Sequence, residues 1–340
     1  MMRCVIRKRR SLLGRAVLRR FSALAALLLL AGAFPSSVSA SAEAAPRWEA
    51  QFAPIDEPYF SFVWLTDTQT MTEHPALYSA MKRMFRWIVE SRELCHTVCV
   101  IHTGDIVEYG GNEDYWARIS PLIGEVQSFL PFLSVAGNHD IDHRDEDWSH
   151  YLAQPFLKDA RSMHFFQDGK GAWTFLSACG IDILLLGLGY NETGQEAIGW
   201  AKAAFAEHPG AVGVFITHSY LSYATSKTSV YTGNGDAFRV GLVSSVPEIR
   251  FVLCGHVNGT GHVVERYDDD GDGTEERTVH ALRYNCQESA SADRAGFLRV
   301  LTVFPRSGRL RVYTYSPYLD LEVYDPHSRG KESFFIDVRR

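Results

Sequence analysis

The chain has 340 residues, 46% hydrophobic and 22% charged, a balance that excludes disordered and fibrous classes and leaves room for one large α/β domain or two ordinary ones. Its net charge of −6 becomes −14 once the first forty residues are set aside, because these carry eight Lys/Arg and no acid. So acidic a surface does not attract long nucleic acid or anionic lipid, and no basic patch with interleaved aromatics offsets it.

The basic residues from Arg3 to Arg20 precede an apolar run over 21–34 and a small-x-small end at Val38-Ser39-Ala40, the pattern of a secretory signal over 1–40. An uncleaved membrane anchor is the competing reading, although the apolar run is short for a bilayer. The pairs Arg9-Arg10 and Arg19-Arg20 also admit a twin-arginine route, so the expected location is secreted or extracytoplasmic, with no membrane span after leader cleavage. Residues 41–57, rich in Ala, Glu and Pro, read as a linker, and 58–340 as the functional domain, with 296–340 its β-rich C-terminal part. Five cysteines remain beyond the leader, an odd number at irregular spacing that makes no disulfide framework. Cys99, Cys179 and Cys254 lie in or beside strand-like runs and read as small buried hydrophobes; Cys95 and Cys99 are near enough in sequence for a bridge.

A β-rich apolar run predicts a strand over 60–66 that ends at Asp67. Leu77, Met81, Met84, Phe85 and Ile88 recur at helical spacing and predict an amphipathic helix over 76–92. A strand over 98–103 ends at Gly104-Asp105; a helix over 115–129 follows, kinked or split by Pro121. A strand over 132–136 ends at Gly137, and the polar, aromatic stretch to about 157 reads as helical. Runs over 163–167 and 173–177 flank Asp168-Gly169-Lys170-Gly171 and predict a hairpin. Then come a strand over 181–188, a helix over 194–207, a strand over 212–217 ending at His218, and another over 251–254 ending at Gly255-His256. Strands over 263–267, 278–283, 297–304 and 310–316 complete the chain. This order implies an α/β fold of two packed mixed sheets flanked by helices, four layers in all.

Asp67, Asp105, Asn138-His139-Asp140, His218 and Gly255-His256 thus each follow an apolar strand. Singly, each is a turn or a satisfied core polar group. Together they form the ordered set of oxygen and imidazole donors needed by a pair of divalent cations about 3.5–4 Å apart, bridged by a carboxylate.

The series Asp67-Thr68-Gln69, Gly104-Asp105-Ile106-Val107-Glu108, Gly137-Asn138-His139-Asp140, Thr217-His218 and Gly255-His256-Val257-Asn258 resembles the calcineurin-like metallophosphoesterase family. The resemblance covers about residues 58–262, and Gly-Asn-His-Asp is its most specific piece. It implies a metallophosphoesterase fold and hydrolysis of phosphomonoesters or phosphodiesters. Asp105 would bridge both metals, Asp67 would hold the first, and Asn138, His218 and His256 would complete the second. His139, Glu108 and Asp140 become the catalytic candidates: His139 would give a proton to the leaving oxygen or steady the phosphate, with Glu108 orienting it. A metal-bound hydroxide would attack phosphorus in line, without a covalent enzyme intermediate.

Three departures from the family pattern matter. Gln69 and Asn258 stand where the family usually has histidines, so the first metal would have Asp67, Gln69, Asp105 and Asn258, oxygen donors throughout. Such a site suits Mg²⁺, Mn²⁺ or Ca²⁺, whereas the imidazole-bearing second site suits Mn, Fe or Zn. The implied pair is unequal, with one metal firmly held and one exchangeable. Tyr109 stands where the protein-phosphatase branch has a phosphate-gripping Arg, and reads as a wall of the pocket.

Around the motifs, His262 is a further candidate ligand to the first metal, with a solvent-exposed loop residue as the alternative; His102 reads as packing within its strand. His143, Tyr220, Asn112 and Trp116 are candidates to line the pocket. The run Asp268-Asp269-Asp270-Gly271-Asp272-Gly273 starts like a calcium loop, but Val279 stands where the twelfth-position Glu belongs. A solvated hairpin turn is the preferred reading and weak Ca²⁺ binding the other. An acidic chain with aromatics near its site suits a small phosphoester rather than a polymer. Two rival functions remain. One is a non-catalytic metal- or ligand-binding descendant of the same fold, favoured by Gln69 and Asn258. The other is an amidase or peptidase, disfavoured because no His-Glu-x-x-His helix is present.

Overall fold

Strand β1 (Phe60–Leu65) is buried along its whole length, and its alternating side chains enter two different cores. Val63 and Leu65 face the helices, while Phe60, Phe62 and Trp64 face a second sheet. A strand covered on both sides reads as a continuous apolar run, and the layered architecture follows from that. The computed structural model describes residues 47–52, 55–142, 146–158, 162–223, 230–287, 295–322 and 333–338. The expected leader over 1–40 lies outside these residues. Among the described residues no helix is long and apolar enough to cross a membrane.

In the first sheet β1 pairs in parallel with β2 (Thr97–His102), which pairs in parallel with β3 (Phe132–Ser134). On its other side β1 meets β11 (Leu298–Phe304), then β12 (Arg309–Tyr315) and β13 (Phe334–Asp337), all antiparallel. The second sheet runs in the order β4 (His164–Phe166), β5 (Gly171–Ala178), β6 (Ile181–Leu188), β7 (Val212–Thr217), β8 (Ile249–Cys254), β10 (Arg277–Asn285), β9 (Gly259–Tyr267). Within it β6, β7, β8 and β10 are mutually parallel. The expected hairpin is β4–β5, where His164 lies opposite Trp173 and their rings stack at 3.8 Å.

Helices cover both outer faces. α1 (Gln69–Glu73), α2 (Tyr78–Ser91) and α3 (Glu113–Gln127) lie on the first sheet, and Met81, Met84, Phe85 and Ile88 of α2 are buried there. α6 (Gln195–Ala206) and α7 (Gly233–Gly241) cover the second sheet through Ala201, Phe205 and Phe238. Between the sheets lies a third core that includes Trp64, Leu185, Ile216 and Leu282. The four-layer sandwich is the architecture observed.

Several local expectations change. α3 runs through Pro121 unbroken. Among the described residues, the stretch expected to be helical up to 157 holds α4 (Ser149–Leu152) and α5 (Pro155–Lys158) and no longer helix. Helix α7 went unforeseen because Gly233 and Gly235 lower helix propensity at its start; the Thr232 hydroxyl caps it by accepting from Gly235 N, and Phe238 anchors it in the core. β13 was also unforeseen. Part of the expected linker is packed rather than solvated: Trp48 stands edge-on to Trp87 at 5.3 Å, and Phe52 packs edge-on against Tyr313. Cys95 and Cys99 form no bridge, because Cys95 faces the helix-side core and Cys99 the inter-sheet core.

Candidate metal centre

In sheets of parallel strands the functional edge is the one reached by the carboxyl ends. Here both sheets present that edge to one place. Asp67 follows β1, Asp105 follows β2, Asn138 follows β3, His218 follows β7 and His256 follows β8. Three of these residues turn the chain sharply enough to enter left-handed backbone: Asp67 at φ 48°, Asp105 at φ 54° and His256 at φ 66°. Non-glycine residues hold this conformation only where their surroundings fix it, and such positions cluster at functional sites. The fixing is by hydrogen bonds between neighbouring loops: Asp67 N donates to Gly104 O at 3.0 Å, Gln69 N to Asp105 O at 3.1 Å, and Gly255 N to His218 O at 2.9 Å.

Two glycines permit the loops to approach. A Cβ on Gly137 would lie 2.1 Å from Asp105 Oδ1, and one on Gly255 would lie 2.3 Å from Asp67 Oδ2. Neither position tolerates a side chain without moving a carboxylate.

The ligand atoms then converge. One oxygen or nitrogen from each of Asp105, His218 and His256 lies within 4.8 Å of the others. His218 Nε2 alone stands 3.2 Å from Asp105 Oδ2, 3.1 Å from Asn138 Oδ1 and 3.2 Å from His256 Nδ1. His218 Nδ1 donates to Thr103 O at 2.8 Å, so in the neutral ring Nε2 carries a lone pair. That lone pair faces two oxygen acceptors, an arrangement that repels unless a cation or a proton lies between them.

The electrostatics agree. Burial, reinforced by the Asp105 charge and resisted by His218, pushes the Asp67 carboxyl up to about 7. Burial would raise Asp105 too, but His218 and the His139 amide bring it down to about 2. His218 rises to about 9 against its burial because Asp105 and Asp67 stabilise its cation. His256 falls to about 4 through burial and the His218 charge. Without a metal, the cluster holds its positive charge as a proton on His218.

Gln69 Nε2 donates to Asp105 Oδ2 at 3.1 Å, leaving Oε1 buried with no hydrogen-bond partner. Asn258 Oδ1 is likewise buried and unpartnered. These carbonyl oxygens fit hard divalent cations. Asp105, His218 and His256, with the Asn138 and Gln69 side chains beside them, fit a divalent metal site.

His139 N donates to Asp105 Oδ1 at 3.0 Å, and its Nδ1 donates to the Glu108 backbone oxygen at 2.8 Å, with Glu108 Oε1 at 3.5 Å. The imidazole is held above its ordinary pKa despite partial burial, mainly by Asp105. Asp140 is fully buried, and its two oxygens accept from Ile106 N, Val107 N and Gly137 N at 2.7–3.0 Å. It therefore ties the Asp105 loop to the Asn138 loop, a positioning task rather than contact with substrate.

The buried His102 works the same way. Gly104 N donates to its Nδ1 at 3.2 Å, its Nε2 donates to Thr68 Oγ1 at 3.1 Å, and Thr68 donates to Ile106 O at 2.9 Å. Burial holds this ring neutral, at about 3.

Two neighbours had escaped notice in the sequence. Asn285, the last residue of β10, donates through Nδ2 to Asp67 Oδ1 at 2.8 Å and to His256 O at 3.1 Å. Tyr190, just past β6, places its ring centroid 6.0 Å from that of His218 and 5.8 Å from that of His256. Both lie at the carboxyl ends of parallel strands, but neither carries the acid or imidazole that marked the candidate ligands.

Other candidates fall elsewhere. Tyr220 is buried and donates to Glu265 at 3.0 Å. Trp116 donates to Gly110 O and packs on Tyr151, and Asn112 caps α3. His262 meets His280 at 3.0 Å and stacks on Phe334. Tyr109 is half exposed, and His143 lies outside the described residues. The acidic run forms the turn between β9 and β10. Asp268, Asp270, Asp272 and Glu276 bring ligand atoms within 4.8 Å of one another there, while Asp268 accepts from Gly271 N and Gly273 N.

Comparison with known proteins places this geometry. Residues 60–258 match the family described as calcineurin-like phosphoesterase. The chain is 27% identical over 289 residues to the uncharacterized protein YvnB of Bacillus subtilis (strain 168), an alignment covering 83% of this chain and 22% of that protein. The chain thus spans about a fifth of that relative's length. Among solved structures, it shares a fold with the purple acid phosphatase PPD1 from yellow lupin (Lupinus luteus) seeds. That match has a TM-score of 0.54 and 14% identity, covering 83% of this chain and 54% of the phosphatase.

Proposed function

The chain belongs to the calcineurin-like phosphoesterase family, and we propose that it hydrolyses small phosphomonoesters or phosphodiesters with two divalent cations held at the strand ends. The observation that carries this reading is the convergence on His218 Nε2 of Asp105, Asn138 and His256, all within 3.2 Å, with no proton donor among the facing oxygens. Asp67, Gln69, Asp105 and Asn258 would hold one cation, and Asp105, Asn138, His218 and His256 the other. When bound, such cations supply positive charge to the phosphoryl oxygens and acidify water.

The remaining residues bind, orient and move protons. His139 is fixed through Nδ1 by the Glu108 carbonyl, so giving a proton to the leaving oxygen falls to Nε2. Glu108 Oε1, 3.5 Å from Nδ1, favours the protonated ring. Asp140 keeps the Asp105 and Asn138 loops in register, and Asn285 holds the Asp67 carboxylate. Tyr190 forms a wall beside the imidazoles.

The oxygen-only donor set supports a weak, exchangeable first site that takes Mg²⁺, Mn²⁺ or Ca²⁺, beside a firmer second site for Mn, Fe or Zn. The leader pattern supports export of the enzyme. Turnover of p-nitrophenyl phosphate or bis-p-nitrophenyl phosphate with added Mn²⁺ is the expected result. A metal-loaded protein that hydrolyses neither would support the non-catalytic descendant instead.

A further inference from the structure

At the end of the sandwich opposite the metal centre, the two sheets part to leave a cavity of about 490 Å³. Its walls come mainly from the beginnings of the parallel strands β1, β6, β7 and β10 and from the end of antiparallel β11, whereas the candidate ligands follow the ends of parallel strands. Phe60, Phe62 and Leu301 form one wall, and Ile183, Val214 and Leu253 the other. Ile101, Phe62 and Leu253 are buried and close the inner end; Arg250, Thr278 and Pro305 are partly exposed and form the rim. Close-packed interiors leave few voids larger than a water molecule, so an apolar space of this size is unusual. Its size and lining, mostly apolar with a few polar groups, are those of a small-molecule site.

The rim decides what sort of molecule. Among the described residues no acid lines the cavity. The half-buried or buried arginines elsewhere in these sheets are engaged: Arg277 by Asp269, Arg283 by Ser222 O and Arg311 by Gln51 O. Arg250 has no ion pair, hydrogen bond or ring contact through its guanidinium among the described residues. His280, also in the lining, is already paired with His262 at 3.0 Å. A guanidinium unpaired among the described residues, on the rim of an apolar slot, complements an anionic head on an apolar body. The slot lies between facing sheets, which pack about 10 Å apart, so its occupant must be thin. We propose that this cavity is a second ligand site, independent of the metal centre, that takes a free aliphatic carboxylate of the fatty-acid class, its chain between the sheets and its carboxylate on Arg250.

Calorimetric titration of the full chain with dodecanoate, kept below its micellar concentration, tests this. One saturable site per chain is expected, with dodecanol bound about tenfold or more weakly. Arg250→Gln, on the rim, is expected to reduce dodecanoate to the affinity of dodecanol. Val214→Trp fills the slot and is expected to abolish binding of both, with circular dichroism and the thermal midpoint reporting whether it folds; Ile183→Phe replaces it if it does not. The proposal is overturned by the absence of saturable binding or by dodecanoate affinity unchanged in Arg250→Gln. Binding of phosphatidylglycerol vesicles in place of the monomeric acid overturns it as well.

Discussion

In the proposed hydrolysis much of the chemistry rests on one nitrogen of His139. Its Nδ1 is held by a backbone carbonyl, which fixes the ring and would leave proton transfer to Nε2. A general acid contributes about 10²–10⁴-fold, and most for leaving groups that depart badly without a proton. His139→Ala is therefore expected to lower kcat within that range for an alkyl phosphate but much less for p-nitrophenyl phosphate, whose leaving group needs no proton. Equal losses on both substrates, measured side by side, would remove the general-acid role. Asn285 makes a quieter contribution by holding Asp67. Removing a residue that orients a ligand lowers metal affinity or activity by about 10–100-fold, and Asn285→Ala is expected to do so mainly by weakening the first metal. Activity against Mn²⁺ concentration measures this: the half-saturating concentration should rise while the maximal rate is largely recovered.

At the scale of elements, the site is a set of sharp turns following flat strands. Asp67, Asp105 and His256 adopt left-handed backbone, and the loops touch where Gly137 and Gly255 leave room. Gly255→Ala is predicted to fold, because only a carboxylate and the Thr66 hydroxyl lie in the way, but to displace Asp67 and lose the first metal. Metal analysis after gel filtration checks this; an undiminished metal content would show that the close approach is not needed. The same turns explain what could be read from the sequence. Apolar runs ending in Gly-Asp, Gly-Asn-His-Asp, Thr-His or Gly-His announce a strand end and a candidate ligand together, so the meeting of Asp105, Asn138, His218 and His256 was legible. Asn285 and Tyr190 follow equally apolar runs but carry no glycine before an acid or imidazole, and so passed unnoticed. Helix α7 was hidden because Gly233, Asn234 and Gly235 lower helix propensity, while Phe238 and a Thr232 cap, which act through tertiary contact, restore it.

Over the whole molecule, a stack of helices, two sheets and helices places three apolar cores around the site's supports. The layering was legible because the central strands β1, β2, β6 and β7 are apolar along most of their length, as strands covered on both faces usually are. The packing of Trp48 and Phe52 onto it was not, since two aromatics in an Ala/Pro-rich stretch carry no period. The layers also sort the cysteines. Cys95, Cys99 and Cys254 are buried, and burial pushes each thiol up to about 12. Thiols so protonated and enclosed are inert. Titration of the native protein with a disulfide reagent near pH 8 is expected to leave these three unmodified, with all of them reacting in guanidinium. Rapid modification of any of the three in the native state would contradict the layering around it.

In the proposed site the Asp105 carboxylate would serve two cations of unequal affinity. Anomalous diffraction at the manganese edge, from crystals soaked in Mn²⁺ and then back-soaked, tests it most directly. Two peaks flanking Asp105 are predicted, the one beside His218 and His256 surviving the back-soak and the one beside Asp67 and Gln69 fading. No peak within ligand distance of Asp105, or two that persist equally, would contradict the account.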